Sequence, residues 1–184
     1  MLLQHPTYSR FYLDTVNNKV YSNRTRTKNK ERSLKEVKLF INTGGYVCLN
    51  IMRKEEDRII KTSITFSKFI AECIRGEEIL QDVDHIDRDK LNNKPSNLRV
   101  LCRELNKLNN KGTEGAQRHS QSGKWVSTIQ FRGKRYYLGY FKNQLDARLA
   151  YKSARDTLGI TDILDNTPTL ATELHQKYYM TVDT

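Results

Sequence analysis

The sequence predicts an α+β protein built from three small units in tandem, and three observations lead to this prediction. Short apolar runs separated by turn residues dominate 8–76, a strand–loop–strand–helix pattern occupies 77–110, and a hairpin followed by a helix fills 113–159. Alternation with a period of two indicates strands, and apolar spacings of three and four indicate helices. Residues 160–184 form a C-terminal tail, in which Leu170–Tyr179 favours a helix.

The N-terminal unit, 8–76, is rich in short strand candidates. These are Phe11–Leu13, Lys19–Tyr21, Tyr46–Ile51 and Arg58–Ile64. Gly44-Gly45 marks a hairpin turn before the third of them. The apolar spacing within Phe66–Ile74 predicts a helix that ends at Gly76.

A basic tract, Ser22–Arg32, interrupts this unit and is nearly free of apolar residues. Such a tract is typical either of a solvated loop or of a segment that contacts the DNA backbone, here through Arg24, Arg26 and Lys28. Both interpretations stay open. A backbone contact would give affinity without sequence preference.

The central unit reads as two strands and a helix around a polar loop. Glu78–Ile86 predicts the first strand, Asp87–Asn97 the loop, Leu98–Leu101 the second strand and Arg103–Asn110 the helix. The loop carries Asn-Asn and Lys-Pro turn signals.

An acid and an imidazole stand side by side on the first predicted strand. Asp84 offers a hard anionic oxygen to a divalent cation, and His85 accepts a proton near neutral pH. A helix packed across the two strands would bring Asn106 back to Asp84 as a second oxygen ligand of one metal site. Arg99 and Arg103 suit either a phosphate contact or a solvated position.

The residues of this unit resemble the signature of the HNH nuclease family, in its homing-endonuclease branch. The matching residues are Val83-Asp84-His85-Ile86, Asn92-Asn93, Asn97-Leu98-Arg99 and Leu105-Asn106. The resemblance covers Ile79 to Asn110 and implies a ββα-metal nuclease core.

The resemblance also implies roles for individual residues. His85 would be the general base, Asp84 and Asn106 the metal ligands, and Asn97 a further active-site residue that braces the loop. Many relatives have a second histidine where this chain has Asn106. A carboxamide oxygen suits Mg²⁺ or Mn²⁺ better than Zn²⁺, so we expect one of these two ions as cofactor.

The C-terminal unit begins with a strand of regular alternation, Lys124–Arg132. Alternation places Trp125, Ile129 and Phe131 on an apolar face and Lys124, Thr128, Gln130 and Arg132 on a polar, basic face. Arg132-Gly133-Lys134 turns into a second strand, Arg135–Phe141, to form a hairpin. A helix follows from Gln144 to its stop at Gly159.

This unit resembles the Apetala-two/ethylene-response-factor DNA-binding domain. The matching residues are Gly115, Gly123-Lys124-Trp125, Ile129, Tyr137–Phe141 and Asp146–Tyr151. The resemblance implies a three-stranded antiparallel sheet packed on one helix, with the sheet in the DNA major groove. The implied DNA contacts are Gln117, Arg118, Thr128, Gln130, Arg135 and Tyr137, to which the basic strand face adds Arg132. Gln117 and Gln130 replace arginines of the plant pattern, so the plant recognition sequence is not expected.

Composition agrees with a nucleic-acid partner. The 184 residues carry 32 Lys and Arg against 21 Asp and Glu, a net charge of +11, which favours a polyanion. No apolar run is long enough to span a bilayer, and the first residues lack the features of a signal peptide, so we expect a cytoplasmic protein without membrane contact. The homing-endonuclease resemblance makes a phage-encoded origin an expectation as well. Three widely spaced cysteines imply neither a disulfide framework nor a zinc finger.

Together these observations predict a site-specific, metal-dependent HNH endonuclease that hydrolyses phosphodiesters in double-stranded DNA. The alternative is a non-catalytic, sequence-specific DNA-binding regulator on an HNH scaffold. An RNA-binding accessory protein also suits the charge, but the ribonucleoprotein aromatic motif is absent from the sequence. The sequence leaves the oligomeric state, monomer or dimer, open.

Overall fold

The structure, a computed structural model, describes residues 1–23, 33–55, 58–109 and 115–180. This described part contains several small, mainly antiparallel sheets and five α-helices, in agreement with the predicted mixture of helix and strand. By its contacts the chain divides into a first unit, residues 1–100 with 168–184, and a second unit, residues 101–167. The three tandem units stay a prediction, because the boundary between the last two lies within 110–114, outside the described residues.

Two sheets of short strands build most of the first unit. One has the order β1 (Leu2–Gln4), β2 (Phe11–Asp14), β3 (Lys19–Ser22), β4 (Lys35–Glu36), and the other β5 (Phe40–Ile41), β6 (Val47–Glu55), β7 (Arg58–Thr65). Burial alternates along β2, where Phe11 and Leu13 are buried, so one face of the first sheet meets the core. The predicted strands of this region therefore correspond to β2, β3, β6 and β7.

Helix α1, Phe66–Arg75, begins and ends where the sequence predicts. The Thr65 hydroxyl accepts a hydrogen bond from the Lys68 backbone N–H, which satisfies one of the unpaired donors of the first turn. Gly76 ends the helix in the left-handed region at φ 74°, and its N–H donates to the Glu72 carbonyl. The apolar face of α1 is fully buried and forms the centre of the first unit's core.

The central segment forms a short two-stranded sheet. Strand β8 spans Asp82–His85 and β9 spans Leu98–Leu101, with a 3₁₀ turn at Pro95–Asn97 before β9. The predicted first strand, Glu78–Ile86, is too long, because residues 78–81 form no strand. In that stretch Ile79 is buried while Leu80 is 93% exposed, so local hydrophobicity extended the prediction beyond the paired residues.

The second unit places three helices and a sheet around its own core. It contains α2 (Arg103–Asn109), β10 (Ala116–Arg118), β11 (Trp125–Phe131), β12 (Lys134–Phe141), α3 (Gln144–Thr157) and α4 (Ile160–Asn166). The three strands form an antiparallel sheet in the order β10-β11-β12. Its core consists of Leu101, Leu108, Ile129, Phe131, Tyr151, Ile160 and Leu164. Trp125, predicted for this core, is only half-buried.

The β11–β12 turn has the backbone that a tight hairpin requires. Phe131 pairs with Lys134, and the two residues between them, Arg132 and Gly133, have φ values of 53° and 71°. Two successive positive φ values match the right-handed twist of the strands. Arg132, predicted on the polar strand face, therefore lies at the tip of the hairpin.

The C-terminal tail contains two helices, of which only the second corresponds to a predicted one. Helix α4 is short, and its Ile160 and Leu164, one turn apart, are buried in the second unit. Helix α5, Leu170–Tyr178, belongs to the first unit, where Leu170 enters the core and Glu173 receives two hydrogen bonds from Arg75, at 2.8 and 2.6 Å. In the described residues, every helix is too short or too polar to cross a bilayer.

Candidate active site

Asp84 and His85 are the last two residues of β8, and both are buried. Their exposed fractions are 5% and 6%. Side chains of adjacent strand residues point to opposite faces, so each of the two has its own neighbours. The predicted acid and imidazole are thus held by the same short strand but in different surroundings.

The Asp84 carboxylate is paired with a buried arginine. Nε of Arg99, on β9, donates to Oδ2 of Asp84 at 3.0 Å, and both side chains are 6% exposed. A buried carboxylate needs such a partner, because an isolated charge in a protein interior is costly. The interpretation of Arg99 as a solvated residue is therefore wrong, and its phosphate contact stays a prediction. Arg103 is exposed, at the start of α2.

His85 is oriented by the carboxamide of Asn93, the second residue of the Asn92-Asn93 pair of the motif. Nε2 of His85 lies 3.2 Å from Oδ1 of Asn93. Nδ2 of Asn93 donates to the carbonyls of Lys90 and Leu91, at 3.2 and 3.1 Å, which fixes which end of the amide is the oxygen. Because that oxygen only accepts, Nε2 carries the proton and Nδ1 is the basic nitrogen of the imidazole.

The polar loop between β8 and β9 is held by Asn97, through both its side chain and its backbone. Its Oδ1 accepts from the Asp87 N–H at 3.1 Å, and its Nδ2 donates to Oδ1 of Asp87 at 2.9 Å and to the Asn92 carbonyl at 2.8 Å. The Asn97 carbonyl also accepts from the N–H of Ile86. These contacts are those of a residue that braces the loop, as the resemblance implies.

The Asp87 carboxylate is a second organising group of this loop. It accepts from Nδ2 of Asn92 at 2.7 Å, from the backbone N–H of Asp89 at 2.8 Å and from Asn97. The hydrogen bond from Asn92 and then that from the Asp89 N–H stabilise the charged form, so the pKa of Asp87 lies below its ordinary value. The loop is thereby fixed from within while its outer side is exposed.

The carboxylate of Asp84 is an oxygen ligand of the kind that a hard cation prefers. Within residues 1–23, 33–55, 58–109 and 115–180, no three His, Cys, Asp or Glu side chains form a group that could hold a metal ion. A cation at Asp84 would therefore depend on one carboxylate, carboxamide oxygen, water and substrate phosphate, which Mg²⁺ accepts and a structural zinc site does not. The second predicted ligand, Asn106, is half-buried on α2, in the second unit. Its participation stays a prediction.

The predicted DNA-contacting residues of the second unit fall mostly on one face of its sheet. In the antiparallel register Thr128 pairs with Tyr137 and Gln130 with Arg135, and paired residues share a face. Gln117 pairs with Val126, which lies on that same face.

Arg118 differs from this group. It pairs with Trp125 and therefore lies on the opposite face from its neighbour Gln117. Arg132 lies in the hairpin turn. The basic-tract residues Arg24, Arg26 and Lys28 are outside the described part of the chain.

Two residues of the site, Asn93 and Arg99, have contacts that sequence reasoning did not predict. Both belong to the motif, in Asn92-Asn93 and Asn97-Leu98-Arg99. The motif therefore identifies these residues, but it does not predict which groups they contact. Asn93 is 6% exposed and Arg99 5%, and a buried polar residue requires a partner. The sequence alone does not show that these two side chains are buried, so it does not show that they need partners.

The chain is similar to one protein family and to one solved structure. A family model described as HNH endonuclease matches residues 81–108. A solved structure reported as "DNA binding and cleavage by the HNH homing endonuclease I-HmuI" aligns with 20% sequence identity and a TM-score of 0.46, covering 90% of this chain and 88% of that chain. No curated protein matches the chain. The segment that carries Asp84, His85, Asn93 and Asn97 thus matches the HNH endonuclease family.

Proposed function

We propose that the chain is a DNA endonuclease that hydrolyses a phosphodiester with His85 as general base and a divalent metal as cofactor. The observation that carries the proposal is the contact between Nε2 of His85 and Oδ1 of Asn93, which leaves Nδ1 as the basic nitrogen. The match of residues 81–108 to the HNH endonuclease model and the net charge of +11 support it.

In the proposed reaction, Nδ1 of His85 takes a proton from a water molecule. The water oxygen attacks phosphorus, and the bond from phosphorus to the 3′ oxygen breaks, which gives 3′-hydroxyl and 5′-phosphate ends. The fixed tautomer matters because an imidazole with its proton on the wrong nitrogen cannot accept one at the reacting atom.

Asp84 and Asn106 would hold the cation in this proposal, with Mg²⁺ or Mn²⁺ as the ion that suits their oxygens. When bound there, it supplies positive charge against the phosphate and the leaving oxygen. Arg99 keeps Asp84 in place through the 3.0 Å hydrogen bond to Oδ2. Asn97 keeps the loop, and with it Asn93, in the geometry that orients His85.

Site specificity of the homing-endonuclease type is the finer part of the proposal, with double-stranded DNA as the partner. The open sheet face with Gln117, Thr128, Gln130, Arg135 and Tyr137 supports it, because Gln and Arg are the side chains that pair with adenine and guanine edges. The resemblance of this unit to the Apetala-two/ethylene-response-factor domain is part of the same proposal. The basic tract with Arg24, Arg26 and Lys28 would add affinity without sequence preference.

Supercoiled plasmid incubated with purified protein and Mg²⁺ tests the proposal. We expect nicked or linear DNA from the wild-type chain and neither from His85→Ala, while duplex binding is retained. His175→Ala is the matched control, because His175 is exposed on α5 and stacks only on Tyr179 in the described structure. Wild-type binding without cleavage in any divalent metal would instead favour the non-catalytic regulator.

A further inference from the structure

A turn of the first unit contacts Lys90, a lysine of the polar loop between β8 and β9. The chain reverses at Asn42–Tyr46, where Oδ1 of Asn42 accepts from the Tyr46 N–H at 3.0 Å and the Gly45 N–H donates to the Asn42 carbonyl at 3.0 Å. Nζ of Lys90 donates to the Gly44 carbonyl at 2.9 Å and lies 4.3 Å from the centroid of the Tyr46 ring. This arrangement, the Tyr46–Lys90 seat, joins two segments distant in sequence.

The ammonium group of Lys90 retains hydrogen-bonding capacity in the seat. It has three donors, and in the described part of the chain one of them is satisfied, by the Gly44 carbonyl. The ring of Tyr46 attracts the charge without consuming a donor. Two N–H groups thus face an exposed surface on which an anionic oxygen would satisfy them.

The same tyrosine ring lies beside the proposed base. The ring centroids of Tyr46 and His85 are 6.3 Å apart, with 47° between their planes. Tyr46 thus has both Lys90 and His85 as neighbours. The lysine charge is therefore only one aromatic ring away from the imidazole.

The carboxylates of the loop do not neutralise this charge in the described structure. Asp87 accepts from Asn92, Asn97 and the Asp89 N–H, and Asp89 accepts from the Leu91 N–H. Among the described residues, no salt bridge joins Lys90 to an acidic side chain. The seat thus holds a positive charge in place without an internal counterion.

We propose that the Tyr46–Lys90 seat binds a DNA phosphate adjacent to the one hydrolysed at His85. Lys90 contacts the phosphate oxygen, and Tyr46 is a positioning residue that holds the ammonium. This inference rests on the proposed nuclease function and extends it to the substrate backbone. A lysine that is already held in place loses less side-chain entropy when it binds the phosphate than a mobile lysine does.

Salt dependence of DNA binding tests the seat without cleavage. A short fluorescent duplex is titrated with protein at several salt concentrations, without divalent metal, for wild type, Lys90→Ala, Lys90→Arg and Lys94→Ala. Each neutralised phosphate contributes about 0.9 to the slope of log K against log salt, so we expect Lys90→Ala to flatten the slope by about that amount and Lys90→Arg to restore it. Lys94, exposed in the same loop, is the matched control and should leave the slope unchanged.

Kinetics separate phosphate binding from chemistry. We expect Lys90→Ala to raise KM roughly three- to tenfold with kcat unchanged, since the contact is made equally in the ground and transition states. Tyr46→Phe keeps the ring and should resemble wild type, whereas Tyr46→Leu should raise KM in the same direction as Lys90→Ala.

These experiments separate phosphate binding at the Tyr46–Lys90 seat from the proposed nuclease function. If the wild-type chain binds and cleaves DNA but Lys90→Ala has the same salt slope and KM as Lys94→Ala, phosphate binding at the Tyr46–Lys90 seat is wrong. The proposed nuclease function would then still hold. An equal fall of kcat in Lys90→Ala and Lys90→Arg would also overturn phosphate binding at the seat, because charge alone would not be the property required. A wild-type chain that binds no duplex overturns both proposals.

Discussion

The carboxamide oxygen of Asn93 accepts a hydrogen bond from Nε2 of His85 at 3.2 Å, while the amide nitrogen of Asn93 is held by two loop carbonyls. Neither group can rotate without breaking these bonds. The loop therefore selects the tautomer of the imidazole, and in the proposed reaction this would give the loop a chemical role in addition to a structural one.

Replacement of Asn93 should lower the rate of cleavage more than it lowers stability or binding. Asn93→Ala removes the acceptor that fixes the His85 tautomer, so we expect kcat to fall about 10- to 100-fold with KM nearly unchanged. Plasmid cleavage measures the rate, and ¹⁵N chemical shifts of the imidazole report the tautomer directly. Asn166→Ala, which loses an exposed contact on α4, is the control. Unchanged imidazole shifts in Asn93→Ala would contradict the assignment.

Loss of Arg99 should destabilise the first unit strongly. Arg99→Leu leaves the Asp84 carboxylate buried without the guanidinium that pairs with it at 3.0 Å. Breaking one side of a buried ion pair costs about 3–5 kcal/mol, and we expect a loss of that size in urea unfolding. The double variant with Asp84→Asn should recover part of it, because the buried negative charge is gone. Equal stability of the single and double variants would show that the two side chains are not coupled.

The metal dependence of cleavage should respond to both proposed ligands. Asp84→Asn and Asn106→Ala each weaken or remove an oxygen ligand, so we expect activity to require more Mg²⁺ or Mn²⁺, or to be lost. The measurement is a metal titration of the cleavage rate for each variant. A titration curve for Asn106→Ala that overlays the wild type would remove Asn106 from the site. Activity with Zn²⁺ alone would contradict the choice of ion.

The first unit should become less stable at acid pH, because Glu72 becomes protonated. Glu72 is buried on α1, where its Oε2 accepts from Nε2 of His5 at 2.9 Å and its Oε1 from the Ile79 N–H at 3.2 Å. Nδ1 of His5 accepts from two backbone N–H groups, so Nε2 carries the proton. Burial acts to raise the pKa of Glu72, but these hydrogen bonds outweigh it, and the pKa lies below its ordinary value.

A lowered pKa means that the folded state binds this proton less tightly than the unfolded state. The contribution of ionised Glu72 is therefore present above the unfolded pKa of about 4.3 and is lost as the pH falls through the folded value. We expect Glu72→Gln to cost about 1–3 kcal/mol at neutral pH and less under acid conditions, measured by urea unfolding across this range. A cost independent of pH would contradict the assignment.

Specificity should depend on which sheet face a residue occupies. Gln130→Ala and Arg135→Ala, on the open face, should each reduce preference for the natural site over random duplex by about 1–3 kcal/mol. Arg118, on the opposite face, should affect binding to all sequences alike if it affects binding at all. Competition binding with specific and random duplexes measures this difference. A larger specificity loss for Arg118→Ala than for Arg135→Ala would reverse the assignment of the two faces.

The sequence predicted the elements whose signals are local. Helix α1 has its own N-cap and stop glycine, and the β11–β12 hairpin has a two-residue turn between alternating strands, so neighbours in the chain were enough. Helix α4 was missed because it is a single short segment whose Ile160 and Leu164 are stabilised by burial in the second unit's core. Strand β8 was predicted too long because buried Ile79 resembles a strand residue without pairing as one.

The sequence by itself determined which residues are proposed to carry the chemistry, since Asp84, His85, Asn97 and Asn106 stand in a recognisable spacing. Only the tertiary structure decided what several of these side chains contact. The pairing of Arg99 with Asp84 depends on the two strands lying side by side, and the tautomer of His85 depends on which end of the Asn93 amide faces it. The opposite placement of Arg118 and Gln117 follows from strand register. The hydrogen-bond partner of a side chain, the tautomer of a histidine and the sheet face of a residue all depend on packing between residues distant in sequence. Local sequence patterns contain no information about that packing.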